Sequence, residues 1–189
     1  LDSITKEIKK DLPSVEKVII VPYINLLLNI EEEGYLLYDN IFPKTKRLEI
    51  KFEQLPFSHP IFIFFTSGTT GKPKCIAQGA GGILLQHFKE LALHSNLKKC
   101  DRICYVTTCG WVLWNWVTSS LMLGATLVLR DGSPFYPNES ALFELIEKKK
   151  VTHFGAGARY FSSVKKLGLK PKESFNLKSL KVIMYGGSA

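Results

Sequence analysis

"HPIFIFFTSGTTGKPK", residues 59 to 74, passes abruptly from an apolar run into a cluster of hydroxyls, glycines and lysines. The run ending at Phe65 is short, bounded and rich in Ile and Phe, which predicts a buried strand with a loop at its carboxyl end. The nine residues from Thr66 to Lys74 carry four hydroxyls (Thr66, Ser67, Thr69, Thr70), two glycines (Gly68, Gly71) and two ammonium groups (Lys72, Lys74). Glycine lets backbone N–H groups turn inward, hydroxyls donate without charge, and lysine adds a mobile cation. That composition suits an oxygen-rich anion, above all a polyphosphate. The spacing is not G-x-x-x-x-G-K-[ST], because only two residues separate Gly68 from Gly71 and Lys72 is followed by Pro73. Pro73 has no N–H and steers Lys72 away from helical backbone, so a kinase or GTPase loop opening into a helix is disfavoured. The plain alternative is a polar surface turn.

Working outward, the chain alternates. "LDSITKEIKKDL" places Leu1, Ile4, Ile8 and Leu12 at helical spacing, and "KVIIVPY" reads as a buried strand. Residues 29 to 60 read as an irregular connector with one or two short elements. Beyond the loop, "KCIAQG" reads as a returning strand and "GGILLQHFKELALHSN" as one helix with Ile83, Leu84, His87, Phe88, Leu91 and Ala92 on its apolar face. "RICYVTT", "GATLVLRDG", "VTHFG" and "LKVIMYGG" read as strands. Helices are expected over "WVLWNWVTSSLML", over 139 to 150 and over about 157 to 167. This is an α/β pattern, and a mainly parallel sheet with flanking helices is expected. Ligands of such sheets gather at the carboxyl ends of strands. There stand "TSGTTGKPK", "TTCGW", "DGSPFYP", "GAGARY" and "YGGSA".

Composition narrows the function. The 189 residues are 46% apolar and 22% charged, which fits a folded domain with a core of its own. The net charge of +8 comes from 25 basic against 17 acidic residues, but only Arg47, Arg102, Arg130 and Arg159 are arginines. Lysines stand in scattered pairs and triplets, and the aromatics sit in apolar runs, so no nucleic-acid partner is expected. The basic field favours anionic ligands. Cys75, Cys100, Cys104 and Cys109 form no C-x-x-C pair, so core thiols rather than a metal site are expected. The uncharged stretch from Ile103 to Leu129 is long enough to span a bilayer, yet its hydroxyls, Asn115, Gly110 and Gly124 cut it into strand, helix and strand. No membrane span is expected. No basic segment followed by an apolar one opens the chain, and the expected location is the cytoplasm.

On "TSGTTGKPK", the chain resembles the acyl-adenylate-forming enzymes, the family of acid–CoA ligases, luciferases and peptide-synthetase adenylation domains. "FEQLPFSHP", "GGILLQHFKEL", "TTCGWVLWNW", "GATLVLRDGSPFYP" and "VTHFGAGARY" narrow the resemblance to the branch that activates acetoacetate. It covers nearly the whole chain and is strongest from about residue 52 onward. The resemblance implies residues 1–189 as one partial adenylation domain, the N-terminal part of the family's core. Residues up to about 60 form a helix–strand unit with connector, and 61–189 carry the phosphate loop. It implies acetoacetate, ATP and coenzyme A as substrates, with Mg2+. It places Thr66, Ser67, Gly68, Thr69, Thr70, Gly71 and Lys72 on the ATP phosphates. Gly110, Trp111, Val112, Leu113 and Gly186 fall beside the acyl group, and Gly186, Gly187 and Ser188 match the start of the adenine loop. The chain departs from the family pattern at Ala80, at Ala156 and Gly157, and in "MYGGSA", which bears on the expected substrate pocket. The family's catalytic lysine belongs to a later domain, so no catalytic residue is assigned and the chain alone is expected to form no acyl-CoA. The alternative reading is a phosphate- or nucleotide-binding α/β domain without ligase activity.

Overall fold

The computed structural model describes residues 3–23, 34–41, 49–66 and 71–187. They fall into two compact units, divided between Glu53 and Gln54. In the smaller unit, helix α1 (Ser3–Asp11) precedes strand β1 (Val18–Ile20), which pairs in parallel with β2 (Tyr35–Leu37) before the short helix α2 (Tyr38–Ile41). Tyr35 is buried, and the Lys9 ammonium lies 4.7 Å from the centre of its ring. Gly34 turns into β2 with φ +82°, a conformation that costs glycine nothing.

The larger unit opens with strand β3 (Pro60–Phe65) where a strand is expected, but it is not a buried one, since Ile61, Ile63 and Phe65 are exposed. Strand β4 (Cys75–Gly79) returns beside it with antiparallel register Phe65↔Cys75 and Ile63↔Ala77. The hairpin is a sheet of its own. Of the phosphate-loop candidates, the described Thr66, Gly71 and Lys72 therefore belong to the connection between antiparallel strands and not to the end of a parallel strand. Next come helix α3 (Ala80–Phe88), strand β5 (Arg102–Tyr105), helix α4 (Val112–Thr118) and strand β6 (Thr126–Leu127). Helix α5 (Ala141–Lys149), strand β7 (His153–Gly157), helix α6 (Ala158–Lys166), the short helix α7 (Pro171–Ser174) and strand β8 (Val182–Gly186) complete the unit. The four later strands form one wholly parallel sheet in the order β6-β5-β7-β8.

Strand alternation sends successive residues to opposite faces and divides the core in two. On one face Cys104, Phe154 and Ala156 pack against Leu142, Phe143 and Ile146 of α5 and Tyr160 of α6. On the other, Ile103 packs with Leu91, Leu97, Val117 and Ala125, backed by Trp114, Trp116 and Met184. Ile103, Leu142, Ile146 and Phe154 are at most 1% exposed, each stabilising the fold by roughly 1.5–3 kcal/mol of transfer free energy. His153, wholly buried, meets its needs locally: Nε2–H donates to the Ser95 carbonyl at 2.9 Å and Nδ1 lies 2.8 Å from the Thr152 hydroxyl.

Two helices differ from their sequence reading. The segment after Gly79 is α-helical only to Phe88 and continues as a π-helix over Lys89–His94. Its buried residues are His87 and Leu91, with Ile83 and Ala92 half-buried, whereas Leu84 and Phe88, read as core, are exposed. A stripe of i, i+4, i+8 residues is narrower than the six-residue face expected. The tryptophan-rich helix tightens into a 3-10 turn over Ser119–Leu123 and stops at Gly124, with φ +71°. Thr118 and Ser119 hydroxyls bond back to the carbonyls of Trp114 and Asn115, and such back-bonding competes with regular α-helix. The thiol expectation also needs correcting, since only Cys104 is buried and Cys75, Cys100 and Cys109 are exposed. Among the described residues no helix is long and apolar enough to cross a membrane.

Asp101 anchors the start of β5. Its carboxylate accepts from Lys181 Nζ at 2.6 Å and from the Lys98 N–H at 3.0 Å. Burial pushes its pKa up, but these hydrogen bonds and the Lys181 charge outweigh burial and hold it below the usual value. A lowered folded pKa means stability that is complete above the ordinary carboxylate value of about 4 and drains as pH falls through the folded value. Asp101→Asn should cost about 1–2 kcal/mol at pH 7, Lys181 being well solvated, and the gap to the parent should close below about pH 4 in urea unfolding. A gap that stayed constant into acid would contradict the ion pair.

Candidate functional site

The carboxyl ends of β5, β6, β7 and β8 open on a cavity of about 1380 Å³. Tyr105 and the segment Val106–Cys109 leave β5 into it, Leu129 to Gly132 follow β6, Gly157 ends β7, and Met184 to Gly187 come from β8. Ile83, His87, Glu90 and His94 line it from α3 and its π-helical continuation, and Gln78 lines it from β4. Glu90 and His94 come from the π-helical turn, a form that recurs at functional sites.

Of the residues singled out from sequence, Trp111, Val112, Leu113, Gly186 and Gly187 line this cavity. Trp111 caps the start of α4 with extended backbone and is 66% exposed, whereas Trp114 and Trp116 are half-buried against the core while also facing the cavity. Gly110 is described but is not on the lining; nothing lies within 4 Å of where its Cβ would be. Thr66, Gly71 and Lys72 also do not line the cavity. Thr66 closes the mouth of the hairpin: its N–H donates to the Lys74 carbonyl at 2.9 Å, and its hydroxyl accepts from the Lys74 N–H at 3.1 Å. Gly71 and Lys72 are exposed beyond it. Ser67, Gly68, Thr69, Thr70 and Ser188 lie outside the described residues.

Tyr105 forms part of the floor. Its ring meets Trp116 edge-on, with centroids 5.9 Å apart, and lies so close over Gly155 that a Cβ there would be 2.1 Å from the ring. Only glycine permits that approach. Burial pushes the Tyr105 hydroxyl pKa up, which keeps it a neutral hydrogen-bonding group. Arg130 spends its guanidinium on the loop after β6, with Nη1 donating to the Ser133 carbonyl and Nη2 to that of Tyr136. It shapes the rim, using two of the five N–H groups of its guanidinium.

His87 is the residue whose importance sequence reading missed, since it was counted as part of an apolar stripe. It is 6% exposed, and its Nδ1 lies 2.8 Å from the Ser119 hydroxyl. Burial lowers its pKa, against a smaller upward pull from Glu90, so the ring is neutral at pH 7. The only hint in the sequence was a histidine at core spacing. Among the described residues no group of three or more His, Cys, Asp or Glu side chains could hold a metal ion.

Residues 3–189 match the family of AMP-binding enzymes. The acetoacetyl-CoA synthetase of Gallus gallus is 42% identical over 185 residues, 95% of this chain. That of Rhizobium meliloti is 41% identical over 190 residues, the whole of this chain. The solved structure of acetoacetyl-CoA synthetase from Streptomyces lividans superposes with a TM-score of 0.85 at 36% identity, covering 98% of this chain. The chain spans 28–29% of the length of these three proteins.

The cysteines give a direct check on the site's geometry. Cys109 sits on the cavity lining and is exposed, while burial pushes the Cys104 thiol up to about 11. With a chromogenic thiol reagent at about pH 8, Cys75, Cys100 and Cys109 should react promptly and Cys104 on the order of a hundredfold more slowly. Four thiols of equal rate would show that the sheet does not seal Cys104.

Proposed function

Because the chain belongs to the AMP-binding enzyme family, we propose that it supplies the phosphate loop and the acyl-side wall of an acid–CoA ligase acting on acetoacetate. The observation that carries this reading is the meeting of two distant segments. Trp111 to Leu113 and Gly186 to Gly187 line one cavity at the carboxyl ends of parallel strands, where α/β sheets hold ligands. The largely apolar wall around Trp111, Val112 and Leu113 suits a small acyl chain.

The reaction has two halves. A carboxylate oxygen of the acid attacks the α-phosphorus of ATP, the bond to the β-phosphate bridging oxygen breaks, and pyrophosphate leaves. The sulfur of coenzyme A then attacks the acyl carbon, AMP leaves, and the thiol proton passes to solvent. Both halves gather negative charge, so positioning and fixed donors carry much of the rate. Thr66, Ser67, Gly68, Thr69, Thr70, Gly71 and Lys72 hold the departing phosphates on the hairpin tip, with Thr66 fixing its base. Gly186, Gly187 and Ser188 begin the loop over the adenine, and the absence of side chains at the two glycines lets a flat ring approach the backbone. Mg2+ would be held by the ATP phosphates, whose oxygens are the hard ligands it prefers. Residues 1–189 act in this reading as part of a single adenylation domain, working in the cytoplasm.

A chimera tests it, with this chain replacing the matching 28% of the Gallus gallus relative. Acetoacetate-dependent exchange of pyrophosphate into ATP is expected. Thr69→Ala with Thr70→Ala, or Lys72→Met, should lower that exchange about tenfold to a hundredfold, each lost charge-assisted contact being worth about 1.5–3 kcal/mol. Thioester formation from preformed acyl-adenylate should suffer less. A folded chimera without exchange refutes the ligase reading, and equal loss in both halves refutes the phosphate role of the loop.

A further inference from the structure

We infer that His87 and Ser119 form a tautomeric reader at the acyl end of the cavity, which recognises the 3-oxo oxygen of a small 3-oxo acid. The inference rests on the ligase reading for the identity of the acid, but its hydrogen-bond half stands on this chain alone.

Geometry fixes the resting state. The Ser119 hydroxyl donates to the Asn115 carbonyl at 2.8 Å, and a hydroxyl has one proton. The same oxygen lies 2.8 Å from His87 Nδ1, so it must be the acceptor there and Nδ1 must carry the ring proton. In a neutral ring Nε2 is then an acceptor. Nε2 has no hydrogen bond to the described residues. His87 is 6% exposed and lines the cavity, so, with Nδ1 held by Ser119, Nε2 is the ring nitrogen left for a cavity ligand among the described residues. His153 is different: both its ring nitrogens have protein partners.

The pair can reverse at small cost. The Asn115 carbonyl also accepts from the Ser119 N–H, while the single proton of the Thr118 hydroxyl goes to the Trp114 carbonyl at 2.9 Å. The Ser119 hydroxyl can therefore swing from that carbonyl to Nδ1 without orphaning it. Nδ1 gives its proton to solvent, Nε2 takes one up, and the net charge is unchanged. Nε2–H now faces the cavity as a donor. A ketone oxygen, which can only accept, selects this second state; a plain alkyl chain offers it nothing and leaves the resting state in place. A straight-chain acid thus forgoes one hydrogen bond that the 3-oxo acid makes, and sites built this way discriminate against analogues lacking the bonding atom.

The test starts with the 189-residue chain carrying 15N in its histidine rings. Without ligand, His87 should show the proton on Nδ1. Titration with acetoacetate should move it to Nε2, and titration with butanoate should not, while the His153 signals stay fixed. A proton on Nε2 in the free chain, or no exchange of tautomer on titration to tens of millimolar, overturns the proposal. In the chimera, His87→Phe should lower the kcat/KM ratio of acetoacetate to butanoate about tenfold, mostly through acetoacetate, and His87→Gln, whose amide can donate, should restore part of it. An unchanged ratio, or equal loss for both acids in both variants, also overturns it. A wild-type chimera that activates neither acid counts against the ligase reading instead, and the ring titration then decides the hydrogen-bond reader independently.

Discussion

A strand buried on both faces has to satisfy two cores with alternate residues, and β7 does this for the whole parallel sheet. Phe154 and Ala156 face α5 and α6, while His153 and Gly155 face the opposite side. Each member has a specific reason to be there. Phe154 fills volume among Tyr160 and Phe161, His153 binds the Ser95 carbonyl, and Gly155 leaves the space that the Tyr105 ring occupies. A one-residue slip would turn phenylalanine toward the tyrosine ring and histidine into the apolar cluster.

The cavity follows from that arrangement. Tyr105 and Gly155 are partners in the parallel register, the Val106 N–H donates to the Gly155 carbonyl at 2.8 Å, and the ring laid over Gly155 forms part of the cavity lining. The two helices bordering the space both depart from α geometry, one toward the wider π form and the other toward the tighter 3-10 form. In the second case the cause is visible in hydroxyls that bond to their own helix. The same Ser119 hydroxyl that tightens the helix holds His87, so a local feature of backbone geometry sets the protonation pattern of a cavity side chain.

The hairpin obeys different rules. Its strands form a separate antiparallel sheet with Ile61, Ile63, Phe65 and Ile76 exposed, so its apolar residues do not build the main core. Both Thr66–Lys74 hydrogen bonds lie where its strands separate.

The sequence by itself determined the α/β alternation, the strand that ends at Phe65 and the return through Cys75, whereas the described residues of the loop between those two strands do not join the other loops at the parallel sheet's rim. These are local properties: apolar runs of strand length, glycines at chain reversals and helical spacing of Leu142, Phe143 and Ile146 depend on near neighbours only. It also named Trp111, Val112, Leu113, Gly186 and Gly187, which the fold brings to one cavity. Only tertiary structure decided that the hairpin stands apart from the parallel sheet, because pairing partners are chosen by contacts distant in sequence. It alone separated the buried His87 and Leu91 from the exposed Leu84 and Phe88, since a helix reads the same whichever flank meets its neighbour. And it alone set His87 beside Ser119, 32 residues away, where a hydroxyl with a single proton fixes which nitrogen of the ring is left to face the cavity.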